Sequence, residues 1–233
     1  MKIFWNENTI RWFRDASEYT GYNKKLAQIL LDYIPHRNSL CDVGCGAGLI
    51  DIELSPHFNQ ITCVDIAPGA VESIRELAIQ KQLPNIHAVC MDGKDYKESA
   101  DTVIALFHGG ADVFNTYYPL AKKQLIIVTH IGKRGSFGPE KYRTKHYSDV
   151  ISTRNFLKEH NITYTYSEHS LEHGQPFSSL EDAILFMDVY GSRDMTPEEK
   201  HEHLHSKLVH TNSTDFPFYL PNKKEMGIFV INR

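Results

Sequence analysis

The chain of 233 residues is long enough to bury a substantial core, and its 41% hydrophobic and 23% charged content excludes bulk disorder. A formal net charge of −4 offers no broad attraction toward nucleic acid or an anionic membrane surface. The N-terminal residues lack the apolar run of a secretory signal, no uncharged stretch approaches the roughly 18 residues of a membrane span, and Cys41, Cys45, Cys63 and Cys90 show no CxxC spacing. These features predict a cytoplasmic protein with reduced thiols and with neither a membrane nor a nucleic-acid partner.

In chain order, residues 23–34 place Leu26, Ile29, Leu30, Tyr33 and Ile34 on one helical face, and Pro35 ends that pattern. A short apolar strand follows at 39–43, then a glycine turn and a helix over 47–54. Residues 61–65 read as a second strand, and 68–82 as a helix with Val71, Ile74, Leu77 and Ala78 inward. Three further apolar runs, 86–91, 102–107 and 125–129, read as strands. Strands of about five or six residues alternating with helix-length patterns indicate βαβ units and a parallel sheet covered by helices on both faces.

Beyond this core, 147–160 is helix-like and 162–167 alternates as a sixth strand. Residues 178–191 read as a helix, with Ser178 and Glu181 at capping-box spacing and Gly191 as its stop. Thr196-Pro197-Glu198-Glu199 opens another helix, and 227–232 closes the chain as an apolar strand. The pattern predicts a single α/β domain: a helical cap over 1–34, a core over 35–130, and a decorated part over 131–233 carrying insertions.

The segment Leu40-Cys41-Asp42-Val43-Gly44-Cys45-Gly46-Ala47-Gly48-Leu49-Ile50 runs from a strand through three alternating glycines into a helix. Glycine in such a turn permits positive φ and removes the Cβ that would block a close ligand. The amides at the following helix start offer donors and a positive dipole end. A dinucleotide fingerprint read from Gly44 would need its third glycine at Leu49, and no GK[ST] follows for a P-loop, so both readings fail. Asp42, Asp65 and Asp92 end three successive strands, on the edge where open α/β sheets bind ligands. An acid placed like Asp65, about 20 residues past the glycines, suits the hydroxyls of a ribose.

In these motifs the chain resembles the class I, Rossmann-like, S-adenosylmethionine-dependent methyltransferases, over about residues 20–130 and in motif order. The resemblance implies a seven-stranded, mostly parallel sheet with helices on both faces, the last strand inserted antiparallel from residues 227–232 beside 162–167. It implies that the loop of Gly44, Cys45, Gly46 and Gly48 holds the methionine moiety of S-adenosylmethionine and releases S-adenosylhomocysteine as product. Asp42 would lie near the ammonium, Asp65 and the adjoining Ile66 at the ribose, and Asp92 with Gly93 at the adenine, with Phe107 and Tyr22 completing the cofactor site. The fourth strand ends in Leu106-Phe107-His108-Gly109-Gly110, not in the NPPY-type signature of base and glutamine N-methyltransferases, which argues against a nucleic-acid amino target and leaves other nitrogen acceptors open; the expected acceptor is a small molecule.

Direct in-line transfer needs a base only for a protonated acceptor, and His108, after strand four, and His130, after strand five, are the candidates; either can instead serve only to shape the pocket. The segment 132–138, followed by Lys141, Arg143 and Lys145, reads as a glycine-hinged lid favouring an anionic acceptor, or else as a solvated loop. The tract His201-Glu202-His203-Leu204-His205 matches HExxH and keeps a zinc metallohydrolase as an alternative, although surface histidines on a helix and no metal are the preferred reading. A scaffold that binds S-adenosylmethionine without transferring methyl is the other alternative. Oligomeric state is not legible in the sequence.

Overall fold

A computed structural model describes residues 5–108, 113–134, 137–145 and 149–233. Asn6 opens helix α1 (Glu7–Thr20) with a reciprocal cap, its side chain accepting from the Thr9 amide while the Thr9 hydroxyl accepts from the Asn6 amide. Gly21 turns the chain left-handed at φ 66° and hands it to α2 (Tyr22–Tyr33). The core then alternates as read from the sequence: β1 (Ser39–Val43), α3 (Leu49–Leu54), β2 (Gln60–Asp65), α4 (Pro68–Gln80), β3 (Ile86–Cys90), β4 (Ala100–Leu106), α5 (Val113–Tyr117) and β5 (Ala121–His130). It continues with β6 (Lys133–Arg134), β7 (Thr144–Lys145), α6 (Val150–Glu159), β8 (Thr165–Glu172), β9 (Gln175–Phe177) and α7 (Leu180–Tyr190). Helix α8 (Pro197–Lys207), β10 (Val209–His210), β11 (Phe218–Leu220) and β12 (Lys223–Asn232) complete the chain.

Seven strands form one sheet in the order β3-β2-β1-β4-β5-β12-β8. The first five are parallel, and β12 is antiparallel to both β5 and β8, as the resemblance implied. Alternation along the strands feeds two cores. Leu40, Ile61, Ile104 and Ile126 face α2, α3 and α4 on one side; Cys41, Val43, Val103 and Leu125 pack with Tyr117 and Leu157 on the other. Because β12 returns antiparallel, its first residues emerge at the same sheet edge as the ends of β1, β4 and β5, with Met226 opposite His130.

A third cluster joins the two ends of the chain. Trp12, Phe177, Phe186, Met187, Leu204 and Leu220 are buried together, and β9, β10 and β11 make a small sheet beside them. Strands of two or three residues are too short to show a period, so they were not legible in the sequence. Other boundaries moved locally: β8 begins at Thr165, not 162, and Ser179, not Ser178, caps α7 by accepting from the Asp182 amide at 3.1 Å. Gly191 ends α7 with an extended backbone (φ −72°), so it stops the helix without the left-handed turn. Among the described residues, no helix is long and apolar enough to cross a membrane.

Asp182 fastens α1 to α7. One carboxylate oxygen accepts from Arg11 Nη1 at 3.1 Å, and the other from the Trp12 indole nitrogen at 2.9 Å as well as from Arg11 Nη2. The carboxylate is nearly buried, so deleting it strands a buried indole N–H. Asp182→Ala is expected to lower stability by about 2 kcal/mol in denaturant titration and to shift Trp12 fluorescence, whereas Arg11→Ala, at the exposed end of the pair, costs less than about 1 kcal/mol.

Candidate active site

The ends of β1, β2 and β4 converge at one edge of the sheet. Asp65 organises it: its Oδ2 accepts from the Gly46 amide at 2.9 Å and its Oδ1 from the Ala67 amide at 2.8 Å. The carboxylate thereby joins the loop after β1 to the entry of α4, and each oxygen retains a free lone pair on a half-buried side chain. The Gly44 and Cys45 amides both donate to the Val64 carbonyl and Gly48 donates to Cys45, so much of the loop's donor capacity is spent inside the protein. The expectation that its amides stand open to a ligand holds only for what remains.

Gly44 (φ 76°) and Gly46 (φ 56°) have positive φ and no room for a side chain. A Cβ on Gly44 would fall 2.2 Å from the His108 ring, and one on Gly46 would fall 2.5 Å from the Trp5 indole. Two aromatic rings thus rest on the glycine loop. Trp5 was not anticipated; it precedes the first helix, where no periodicity marks it. His108 shares a hydrogen bond with Tyr117 Oη (3.1 Å), and desolvation lowers its imidazole below the usual range although Asp65 and Asp92 pull the other way. A neutral imidazole at the loop is suited to accept a proton.

The remaining expected residues divide into two groups. Asp92 is exposed and turned to the Lys94 amide, and a Cβ on Gly93 would strike Val43 and Tyr117. Ile66 lies 57% exposed beside Asp65, an apolar side chain presented to solvent at the ligand edge. Phe107 directly follows β4 with φ 56°, unusual for an aromatic residue, and its ring lies against His130 with centroids 4.6 Å apart. Tyr22, expected ahead of a helix, is instead the first residue of α2; it is buried, packs edge-on against His173 at 4.5 Å, and leaves its hydroxyl without a partner among the described residues. His108 therefore belongs with the loop, Asp65 and Asp92, while His130, Phe107 and Tyr22 belong to a neighbouring aromatic cluster.

Asp42 is buried at the end of β1 with Asp51, the third residue of α3. Neither Asp51 oxygen nor Asp42 Oδ1 has a donor among the described residues. Burial and mutual repulsion hold the Asp42 carboxyl well above its ordinary range, and burial lifts Asp51 to about 7. The pair therefore shares protons at neutral pH. Burial likewise pushes the Cys45 thiol up to about 12, keeping it neutral. Asp51 was legible as an anomaly, an acid on the inner face of an otherwise apolar Leu-Ile-x-Ile helix.

Two other expectations resolve differently. The lid segment forms a ribbon of β6 and β7, with Phe137 packed on Phe186, while Gly135 and Ser136 lie outside the described residues. Lys141 pairs with Glu199 at 2.6 Å and Lys133 with Glu140 at 3.8 Å, so these lysines are already engaged. In the histidine tract, His201 Nδ1 meets the Pro197 carbonyl at 2.9 Å and His203 Nε2 the Phe137 carbonyl at 2.8 Å. Among the described residues no three His, Cys, Asp or Glu side chains gather as a metal site would require, so the tract gives the metallohydrolase reading no support.

Residues 40–118 match the family model of a methyltransferase domain. The chain is 34% identical over 88 residues to a malonyl-[acyl-carrier protein] O-methyltransferase of Acetivibrio thermocellus, covering 34% of this chain and 30% of that protein. It is 36% identical over 75 residues to an uncharacterized RNA methyltransferase of Chlamydia muridarum, covering 31% of this chain and 19% of that one. The chain thus spans less than a third of the length of these curated relatives. The magnesium protoporphyrin IX methyltransferase of Synechocystis, solved with bound S-adenosylmethionine, shares the fold at a TM-score of 0.52 and 13% identity, over 97% of this chain and 84% of that one.

The buried acid pair sets a pH dependence. An acid whose pKa is raised on folding holds its proton more tightly in the native state, so the stability it contributes is full at low pH. That contribution is lost as pH climbs from the ordinary carboxyl range near 4 toward the native value of about 7. Asp51→Asn, a neutral isostere, is expected to gain on the wild type across that window, by roughly 2–4 kcal/mol at pH 8. Thermal unfolding of both proteins between pH 4 and 8 checks this; parallel curves would contradict it.

Proposed function

We propose that this chain, whose residues 40–118 form a methyltransferase domain within a class I fold, transfers the methyl group of S-adenosylmethionine to a small-molecule acceptor. The observation that carries the reading is the Asp65 clasp: one strand-end acid fixes the side-chain-free loop at Gly46 and retains lone pairs toward the ligand edge. The residues present fit the cofactor. Gly44 and Gly46 leave a cradle that any Cβ would fill, Asp65 suits ribose hydroxyls, and exposed Ile66 offers an apolar surface to a base. The unpartnered Asp42 Oδ1 lies at the loop's base, where a cationic amino group would be favoured.

When bound, S-adenosylmethionine supplies an electrophilic methyl on a sulfonium sulfur. The chain's own contribution is to hold the acceptor in line and exclude water, which can account for much of the acceleration. His108, kept largely neutral beside Tyr117, accepts a proton from an acceptor that arrives protonated. His130 packs on Phe107 and in this reading shapes the aromatic cluster. A net charge of −4 supports a small molecule over nucleic acid as the acceptor.

Calorimetry with S-adenosylmethionine and S-adenosylhomocysteine tests the cofactor. The wild type is expected to bind both, and Asp65→Ala to weaken binding at least tenfold by releasing the Gly46 and Ala67 amides. Transfer of labelled methyl to an acceptor panel tests the chemistry; binding without turnover would favour the non-catalytic scaffold, and no binding would overturn the reading. His108→Ala is expected to lower kcat most for hydroxyl and thiol acceptors and least for amines, read as a change in the pH–rate profile.

A further inference from the structure

Lys224 emerges at the start of β12, at the same sheet edge as the end of β4. Its ammonium lies 3.7 Å from the centroid of the Phe107 ring and 5.4 Å from that of Tyr22. No carboxylate among the described residues lies within 4.0 Å of it, unlike Lys133, Lys141 and Lys200, which all have acidic partners. Desolvation lowers this amine to about 8, and the same enclosure, with the Lys224 charge, pushes His173 down to about 3 and keeps it neutral. Phe13 and Phe137 stand beyond His173, with ring centroids 6.5 and 6.3 Å from it. The Tyr22 hydroxyl, on a side chain 2% exposed, has no hydrogen-bond partner among the described residues.

A cation withdrawn from water without a counter-charge is costly, and two aromatic faces offset only part of that cost. A hydroxyl without an acceptor adds a second unmet demand in the same aromatic cluster. Both demands are met by one kind of guest: an oxyanion, which pairs with the ammonium and accepts from the phenol, on a body flat or apolar enough to lie among the rings.

We infer that Lys224 and Tyr22 form the anion-recognising part of the acceptor site, and that the acceptor is a small molecule bearing an oxyanion, a carboxylate or a phenolate, on an aromatic or apolar body. The location of this site beside the transferred methyl rests on the methyltransferase reading; the anion preference of the cluster does not. Selectivity then has a physical basis: a neutral isostere leaves the ammonium unpaired, and a cationic one adds repulsion.

The test is competition-free calorimetry at pH 7.5 with benzoate and 4-nitrophenolate as the two oxyanion sources, and with benzamide, benzyl alcohol and benzylamine as neutral and cationic counterparts. Each is titrated into the full chain with and without saturating S-adenosylhomocysteine. At least one anion is expected to bind ten or more times tighter than every neutral or cationic counterpart, and which one does so tells carboxylate from phenolate. Lys224→Met is expected to erase that preference, and Lys224→Arg to restore most of it. Removing an unpaired charge should leave the Met variant's melting temperature equal or higher, which excludes unfolding as the cause. The inference is overturned if neutral and anionic probes bind alike, if no anion binds, or if Lys224→Met keeps the preference. Failure of S-adenosylhomocysteine to bind while the anion preference persists would sink the methyltransferase reading alone.

Discussion

Asp65 stands where three parts of the molecule meet, and its two amide contacts set the geometry of the ligand edge. The loop after β1 carries glycines at positive φ, a conformation with high entropy in the unfolded chain and few side chains to hold it in the folded one. A carboxylate accepting from Gly46 on one side and Ala67 on the other fixes that loop against the entry of α4. Because β1 and β2 are hydrogen-bonded neighbours in parallel register, with Val43 opposite Val64, the acid and the loop arrive together without any further device. His108 and Trp5 then rest on surfaces that exist only because Gly44 and Gly46 have no Cβ.

Around this clasp the protein tolerates charges that ordinary packing would eliminate. Asp42 and Asp51 are buried together below the loop and share protons; Lys224 is set among rings with no acid within 4.0 Å of it among the described residues. Each arrangement lowers stability when viewed alone. The acid pair lies at the end of β1 and the start of α3, and the ammonium at the start of β12. Such destabilising placements concentrate where binding supplies the missing partner.

The helical cover over this edge depends on contacts between distant parts of the chain. Trp12 and Arg11 of α1 converge on Asp182 of α7, and the aromatic cluster of Phe177, Phe186 and Phe137 fills the space between them. The same cover brings Phe13 against His173, which in turn packs on Tyr22. The histidine tract of α8 serves this cover as well, His203 meeting the carbonyl of Phe137.

The cofactor half of the molecule was legible in the sequence because its signals are local. Strand period, glycine spacing around Gly44–Gly48, and acids closing successive strands at Asp42, Asp65 and Asp92 all act within a few residues of where they are written. The antiparallel final strand followed from the family resemblance, with 162–167 and 227–232 in the right order for it. What lay beyond reach were pairings between residues far apart in the chain: Lys224 over Phe107, Tyr22 against His173, Asp182 with Trp12, and Trp5 on Gly46. No periodicity encodes such contacts, since each depends on how whole helices and strands pack and not on the conformation of its own segment. The sequence by itself therefore determined the sheet and its ligand edge; only the tertiary structure decided which side chains gather around Lys224, because such a cluster is made by elements that meet in space and not in sequence.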